Sequence, residues 1–164
     1  MKLESLQELF IEELQDLYSA ENMILKALPK MIDEASSPEL KGAFTQHLEQ
    51  TRTQVQRLDQ IFDQLEGVDR KDKKCKGMKG IIDDAEDFLD EDAGPEVLDA
   101  GMIAGAQKVE HYEIAGYGTV RTYANLLGRR DWAQLLQQTL DEEKQTDVKL
   151  NQLAEHLNLE AKAA

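Results

Sequence analysis

The sequence is short of cysteine, proline and aromatic residues, and it has no long hydrophobic run. Cys75 is the only cysteine among 164 residues, so an internal disulfide is impossible and a reducing compartment fits. No apolar stretch approaches the length needed to span a membrane. The first ten residues, MKLESLQELF, are amphipathic and acidic, unlike a signal or transit peptide. These absences together predict a cytoplasmic protein.

Basic residues are outnumbered, with 19 Lys and Arg against 33 Asp and Glu, and the formal net charge is −14. This charge argues against nucleic acid and anionic membrane surfaces as partners, because both would be repelled. The same charge attracts cations. Sparse glycine and proline, together with 32% charged residues, favour an all-α domain.

Five amphipathic segments predict helices that are separated by turn residues. Ser37 followed by Pro38 is a strong helix start, and Asp131 with Gln134 resembles a capping pair at the start of the last helix. The final residues, EAKAA, are expected to fray. The predicted helices cover about residues 3–35, 37–66, 78–92, 95–127 and 131–157.

The lengths of the connections predict the architecture. Tight turns join the first two long helices and the last two, so each pair forms an antiparallel hairpin, and a long crossover lets the hairpins dock. We therefore predict one all-α domain over residues 1–164, a ferritin-like four-helix bundle with a short fifth helix in the crossover. The alternative is an extended antiparallel coiled coil, which would need a strict heptad that the sequence does not hold.

Carboxylates interrupt the core face of the fourth segment, KVEHYEIAGYGTV. At 100° per residue, Glu110 and Glu113 share the face of Val109 and Tyr117, whereas His111 points outward. The other three long helices also place polar residues on their core faces, and counting from the tight turns puts all of them at mid-bundle. They are Glu21 in the first helix, His47 and Thr51 in the second with Gln54 at the margin, and Glu143 and Asp147 in the last.

Several buried carboxylates repel one another and are costly to desolvate, so something positive must lie among them. Oxygen ligands with one imidazole nitrogen suit one or two metal ions, which could activate a small oxygen species. The alternative is a purely structural polar layer that pairs with Lys or Arg. No Lys or Arg lies clearly on these inner faces at mid-bundle level, which weakens that alternative.

Two further residues have open roles. Tyr18, one turn before Glu21, is either a core residue or a hydrogen-bond donor beside the site. Cys75 lies in the basic loop GVDRKDKKCKG, where lysines could lower its pKa, but an incidental exposed thiol is the simpler interpretation.

Several stretches together resemble the YciF-like branch of ferritin-like proteins, over nearly the whole chain. The resemblance implies a rubrerythrin-like bundle, a homodimer and an association with bacterial stress responses. The matching stretches are ELQDLYSAEN, ALPKM, SSPELKGAF, HLEQT, GAQKVEHYEIAGYGT and LDEEKQTDVKL.

Rubrerythrin-type sites imply roles for particular residues of this chain. Glu110 or Glu113 would bridge two metals together with Glu143. Glu21 would be a terminal ligand, and so would Asp147, which stands where such sites have a histidine. His47 is assigned as a terminal ligand from its inward position on the second helix, whereas Glu49, the candidate by linear motif, points outward. The second helix of such sites supplies Glu-x-x-His, a motif that occurs nowhere in this sequence. Gln50 also replaces a carboxylate that family members often carry. These departures leave two alternatives, a site that holds one metal and a site that holds two metals weakly.

The leading hypothesis is a stress-associated protein with a mid-bundle carboxylate site, with a di-iron cofactor first and manganese or zinc as possible occupants. Its chemistry would be oxidation of Fe(II) or consumption of O2 or peroxide. The alternative is a non-catalytic dimeric helical interaction protein with a degraded or metal-free site.

Overall fold

A computed structural model describes residues 3–71 and 73–164, and five α-helices account for most of them. They are α1 (Leu6–Glu34), α2 (Pro38–Phe62), α3 (Lys76–Leu89), α4 (Pro95–Leu126) and α5 (Arg130–Ala163). No strand occurs in the described part of the chain. None of the described helices combines the length and the apolar character that a membrane span requires. The predicted ferritin-like bundle with a short helix in its crossover is confirmed.

The predicted helix boundaries hold at some ends and move at others. Ser37 caps α2 as expected, because its hydroxyl accepts a hydrogen bond from Leu40 N at 3.3 Å. The prediction for Asp131 is wrong: it lies inside the first turn of α5 and pairs with Arg129, the residue that precedes the helix. The expected frayed tail is also wrong, since the strong helix formers of EAKAA continue α5 to Ala163.

The crossover helix differs slightly from its predicted range of 78–92. α3 begins at Lys76, because the Cys75 sulfur accepts a hydrogen bond from Met78 N at 3.3 Å and so caps the helix. It packs against α4 where a glycine allows close approach. A Cβ on Gly101 would lie 2.0 Å from the Phe88 ring, so only glycine fits there.

A buried aspartate fixes one hairpin to the other. Asp99 on α4 is 2% exposed and accepts hydrogen bonds from Ser36 N at 2.9 Å, Ser36 Oγ at 2.6 Å and Ser37 N at 2.8 Å. These three donors neutralise much of the cost of burying the carboxylate. The turn between α1 and α2 is therefore held against the start of α4.

The hydrophobic core is divided into two clusters along the bundle. One cluster lies towards the α1–α2 turn and includes Leu28, Phe44 and Leu150. The other lies towards the α4–α5 turn and includes Phe10 and Trp132, whose rings stack with centroids 5.4 Å apart. Buried polar side chains from all four long helices belong to neither cluster. Those at mid-bundle, among them Glu21, His47, Glu110 and Glu143, form the candidate site.

Candidate metal centre

Four buried side chains from three helices converge at one point of the bundle. His47 comes from α2, Glu110 and Glu113 come from α4, and Glu143 comes from α5. Each offers one ligand atom, and these four atoms lie within 4.8 Å of one another. The two α4 glutamates are three residues apart, which places both on the face that is buried. The structure therefore brings together four of the six residues that the sequence predicted as ligands.

Most polar atoms in this cluster have no hydrogen-bond partner. Both carboxylate oxygens of Glu110 and of Glu113 are unpartnered, and so are Glu143 Oε2 and His47 Nε2. His47 Nδ1 lies 3.4 Å from Glu110 Oε1, but the two are not aligned as a hydrogen bond. Unsatisfied buried polar atoms are rare in proteins because each one costs free energy. This donor set, one imidazole and three carboxylates aimed at one point, fits a divalent metal ion.

Glu21 lies beside the four-residue cluster and is held by a tyrosine. It is fully buried on α1, and its Oε1 accepts a hydrogen bond from the hydroxyl of Tyr117 on α4. Its other oxygen, Oε2, has no partner. Glu21 is also close enough to Glu113 and Glu143 to raise the pKa of Glu113 and to have its own pKa raised by Glu143. It therefore shares their environment without belonging to the four-residue cluster.

Asp147 occupies a different position from the cluster. It lies one turn after Glu143, its side chain is 18% exposed, and its Oδ1 is 3.3 Å from His111 Nε2. His111 itself is 69% exposed, as its outward position on α4 predicted. The structure thus places Asp147 between the buried carboxylates and the surface, where it faces an imidazole.

Two side chains of α2, Gln54 and Arg57, make contacts with α5 beside the site that the sequence did not predict. Gln54, expected only at the margin, is 1% exposed and donates hydrogen bonds to Glu143 and, at 3.1 Å, to Glu142 Oε2. The guanidinium of Arg57, one turn further along α2, forms two 2.7 Å contacts with Glu142. A cation therefore does lie near the layer, but it pairs with Glu142. The sequence did carry one indication of this, because Gln54 and Arg57 are three residues apart and therefore lie on the same face of α2.

Burial dominates the proton affinities of the site. It raises the pKa of Glu21, Glu110 and Glu113 well above the ordinary value of 4.5, and repulsion from Glu143 adds to the shift of each. Burial raises the pKa of Glu143 to about 7 and lowers the pKa of His47 to about 4. At neutral pH the His47 imidazole is therefore neutral and able to act as a ligand, and a cation would displace the protons for which burial raises the affinity of the carboxyl groups.

The open roles of Tyr18 and Cys75 are resolved by their contacts. Tyr18 is a core residue whose ring meets Phe62 edge-on at 5.6 Å. The prediction of an exposed thiol is wrong: Cys75 is buried, and its sulfur lies 3.0 Å from both Asp16 Oδ2 and Tyr112 Oη. Burial raises its pKa, and the hydrogen bond to Asp16 raises it further, so the loop lysines do not activate it.

Comparison with known proteins agrees with this architecture. A family model described as a domain of unknown function (DUF892) matches residues 5–163. Protein YciF of Escherichia coli K12 is 45% identical over 154 residues, which are 94% of this chain and 93% of the relative.

Solved structures are similar as well. The crystal structure of the E. coli stress protein YciF has a TM-score of 0.90 at 44% identity and covers 94% of this chain and 98% of its own. YcfI from Rhodopseudomonas palustris has a TM-score of 0.87 at 43% identity, with coverages of 92% and 95%. A protein from Xanthomonas campestris, 23% identical over 96% of each chain with a TM-score of 0.73, shares the fold. This chain therefore belongs to the YciF-like family.

Proposed function

We propose that this chain binds a divalent metal in the buried cluster of His47, Glu110, Glu113 and Glu143, with redox-active iron first and manganese or zinc as alternatives. The observation that carries the proposal is the set of unpartnered carboxylate oxygens and the unpartnered His47 Nε2 at one point. A cation would satisfy all of them at once, whereas the described residues place no Lys or Arg in contact with the three clustered glutamates.

The nuclearity of the centre depends on residues outside the cluster. The unpartnered Oε2 of Glu21 could serve a second ion, and Asp147 could join after leaving His111. However, α2 offers Thr51 and Gln54 on its inner face. The Thr51 hydroxyl is used by its own helix, donating to the His47 carbonyl at 2.9 Å. We propose that one metal binds firmly at the four-residue cluster and that a second binds more weakly on the Glu21 side.

The proposed reaction is oxidation of Fe(II), or consumption of O2 or peroxide, during stress. Iron in this position would supply the electrons, while this chain's side chains hold it away from bulk water and accept or release protons. The E. coli relative is described as a stress protein, which agrees with this role. Cys75 is the only cysteine, so this chain cannot form a rubredoxin-type iron site, which is held by several cysteines. Electrons for repeated turnover would therefore come from a separate reductant. We also propose a homodimer, following the family resemblance, and a cytoplasmic location, following the composition of the sequence.

The test is stopped-flow oxidation of Fe(II) bound under anaerobic conditions and then mixed with O2 or with peroxide. We expect wild-type protein to form Fe(III) at least about tenfold faster than the Glu110→Gln/Glu143→Gln variant, because the variant removes two anionic ligands. The matched control is Glu155→Gln, an exposed change on α5. Equal rates for wild type, variant and iron in buffer would contradict the proposed reaction.

A second candidate function, a non-catalytic interaction protein, is favoured by two hydrogen bonds. Tyr117 holds Glu21 and Gln54 holds Glu143, so part of the polar layer is satisfied without a cation. With the raised pKa values, the remaining carboxyl groups could persist as neutral acids. This candidate predicts that wild-type protein binds no metal and that its stability does not respond to metal.

A further inference from the structure

A cavity of about 220 Å³ lies between α2 and α5, and its lining includes His47 of the candidate centre. Its outer wall includes the exposed side chains of Gln46 and Gln145, so it begins at the surface. Its inner wall includes His47, which is 3% exposed and belongs to the metal cluster. Gln50, Thr146 and Lys149 line the space between them. The cavity therefore connects solvent to one of the ligands.

The lining of this cavity suits a hydrated ion. Side-chain amides and a hydroxyl supply oxygen atoms that can replace water around a divalent cation as it moves inward. Gln50 has no side-chain hydrogen bond in the described residues, so its amide oxygen is free to do this. His47 Nε2 is buried and unpartnered, and it offers the next ligand.

A second cavity also reaches His47, but its chemistry is different. It lies between α1, α3 and α4, has a volume of only about 30 Å³, and is lined mainly by apolar residues such as Ile24, Ile82 and Val109. A cation that entered there would lose its hydration water without replacement ligands, which is prohibitively costly. Polarity and size thus favour the cavity between α2 and α5 as the route for an ion.

A lysine crosses the mouth of the larger cavity. Lys149 on α5 donates a hydrogen bond to Gln46 Oε1 on α2 at 2.7 Å, which ties the two helices together at the surface. The described residues place no carboxylate within ion-pair distance of Lys149. Its positive charge therefore opposes the entry of a cation, and its hydrogen bond must open before a hydrated ion can pass.

We propose that this cavity is the passage through which a divalent cation reaches the centre, that Gln50 relays the ion to His47, and that the Lys149–Gln46 bridge is the gate. The proposal rests on the proposed metal site. It assigns a kinetic role to residues that are not ligands, so their substitution changes the rate of metal exchange and leaves the equilibrium affinity nearly unchanged.

The test is the rate of Co(II) uptake by the full chain, followed by visible absorption, and of Co(II) release to a chelator. Gln50→Trp fills the passage and should slow both rates at least severalfold by a similar factor, whereas Gln60→Trp, on an exposed part of the same helix, should not. Lys149→Met should speed both uptake and release by about tenfold at low salt, because a fixed charge that repels the ion at the mouth of the passage is removed. Lys144→Met is the control with the same change in net charge.

A metal-independent measurement keeps the two proposals separate. Diethyl pyrocarbonate acylates neutral imidazoles, and mass spectrometry can follow His47 with the exposed His111 and His156 as internal references. Gln50→Trp should slow the labelling of His47 alone. Unchanged labelling of His47, or unchanged cobalt kinetics in Gln50→Trp and Lys149→Met, would overturn the passage. Failure of wild type to bind cobalt would overturn the proposed metal site, and the labelling would then still decide whether the passage exists.

Discussion

Replacing Glu113 with glutamine is expected to stabilise the protein without metal and to destabilise it with metal. Glu113 is fully buried, and neither of its oxygens has a hydrogen-bond partner. Glutamine carries no charge, so the variant avoids both the cost of burying a carboxylate beside Glu143 and the cost of protonating it. The free energy of unfolding with a chelator present should therefore rise by about 1–3 kcal/mol at pH 8. For a chain of this size, that corresponds to an increase in Tm of roughly 3–10 °C.

With metal present the order should reverse. A ligand at 1,000 times its Kd stabilises the folded state by about 4 kcal/mol, and the variant should lose most of this gain because it lacks one anionic ligand. The measurement is a pair of thermal melts for each protein, one with Mn(II), which resists oxidation, and one with EDTA. Glu155→Gln, an exposed change on α5, should behave as wild type under both conditions. A variant less stable than wild type in EDTA would contradict the expected repulsion.

The second large effect is an opposite response to pH with and without metal. In the metal-free protein, the pKa of Glu143 is raised from 4.5 to about 7, and those of Glu21, Glu110 and Glu113 are also raised. A carboxyl group whose pKa is higher in the folded state stabilises the fold below its unfolded pKa. This stabilisation is lost as the pH rises through the folded pKa, at up to about 1.4 kcal/mol per pH unit for each proton.

His47 acts in the opposite direction over a lower range. Its pKa falls from 6.5 to about 4, so its contribution is complete above pH 6.5 and is lost as the pH falls towards 4. Between about pH 4.5 and 6.5, the stability that His47 contributes as the pH rises offsets the stability that the carboxyl groups lose. Above pH 6.5 the contribution of His47 no longer increases, so the loss from the carboxyl groups is not offset. The Tm of the metal-free protein should therefore fall most clearly as the pH rises from 6.5 through 7 and beyond.

Metal binding should reverse this trend, because the ion displaces the protons that the carboxyl groups hold. The increase in Tm caused by Mn(II) should grow from pH 6 to pH 8. Melts at pH 6, 7 and 8, with Mn(II) and with EDTA, measure both slopes, and Glu113→Gln/Glu143→Gln should flatten them. A metal-free Tm that stays level or rises above pH 6.5 would count against the buried, uncompensated carboxylates.

Helical periodicity and connection lengths were sufficient to predict the architecture. Apolar stripes that recur every 3.6 residues specify which faces meet, and the two tight turns specify which helices are antiparallel neighbours. Helix ends were harder because competing local contacts decide them. Cys75 caps α3 through its sulfur, and Arg129 takes the position before α5 while its guanidinium stacks 3.4 Å from the Trp132 ring centroid. Neither contact follows from local sequence alone.

The candidate site was predictable for those residues whose orientation towards the core depends only on their angular position around the helix. Glu110, Glu113 and Glu143 face the core because their angular positions match those of buried apolar neighbours. Asp147 shares that angle approximately, but its Oδ1 lies 3.3 Å from His111 Nε2 and outside the four-residue cluster. The contact between Tyr117 and Glu21 depends on the register between α1 and α4, which periodicity does not specify.

The central claim is that the mid-bundle cluster is a metal site, and elemental analysis tests it most directly. Purified protein would be loaded with Fe(II) under anaerobic conditions, desalted and analysed beside a Glu113→Ala/Glu143→Ala variant treated in the same way. The account predicts at least about one iron per chain in wild type, with a second where the Glu21 side also fills, and loss of the metal in the variant. Equal background metal in both proteins, repeated with manganese and with zinc, would contradict it.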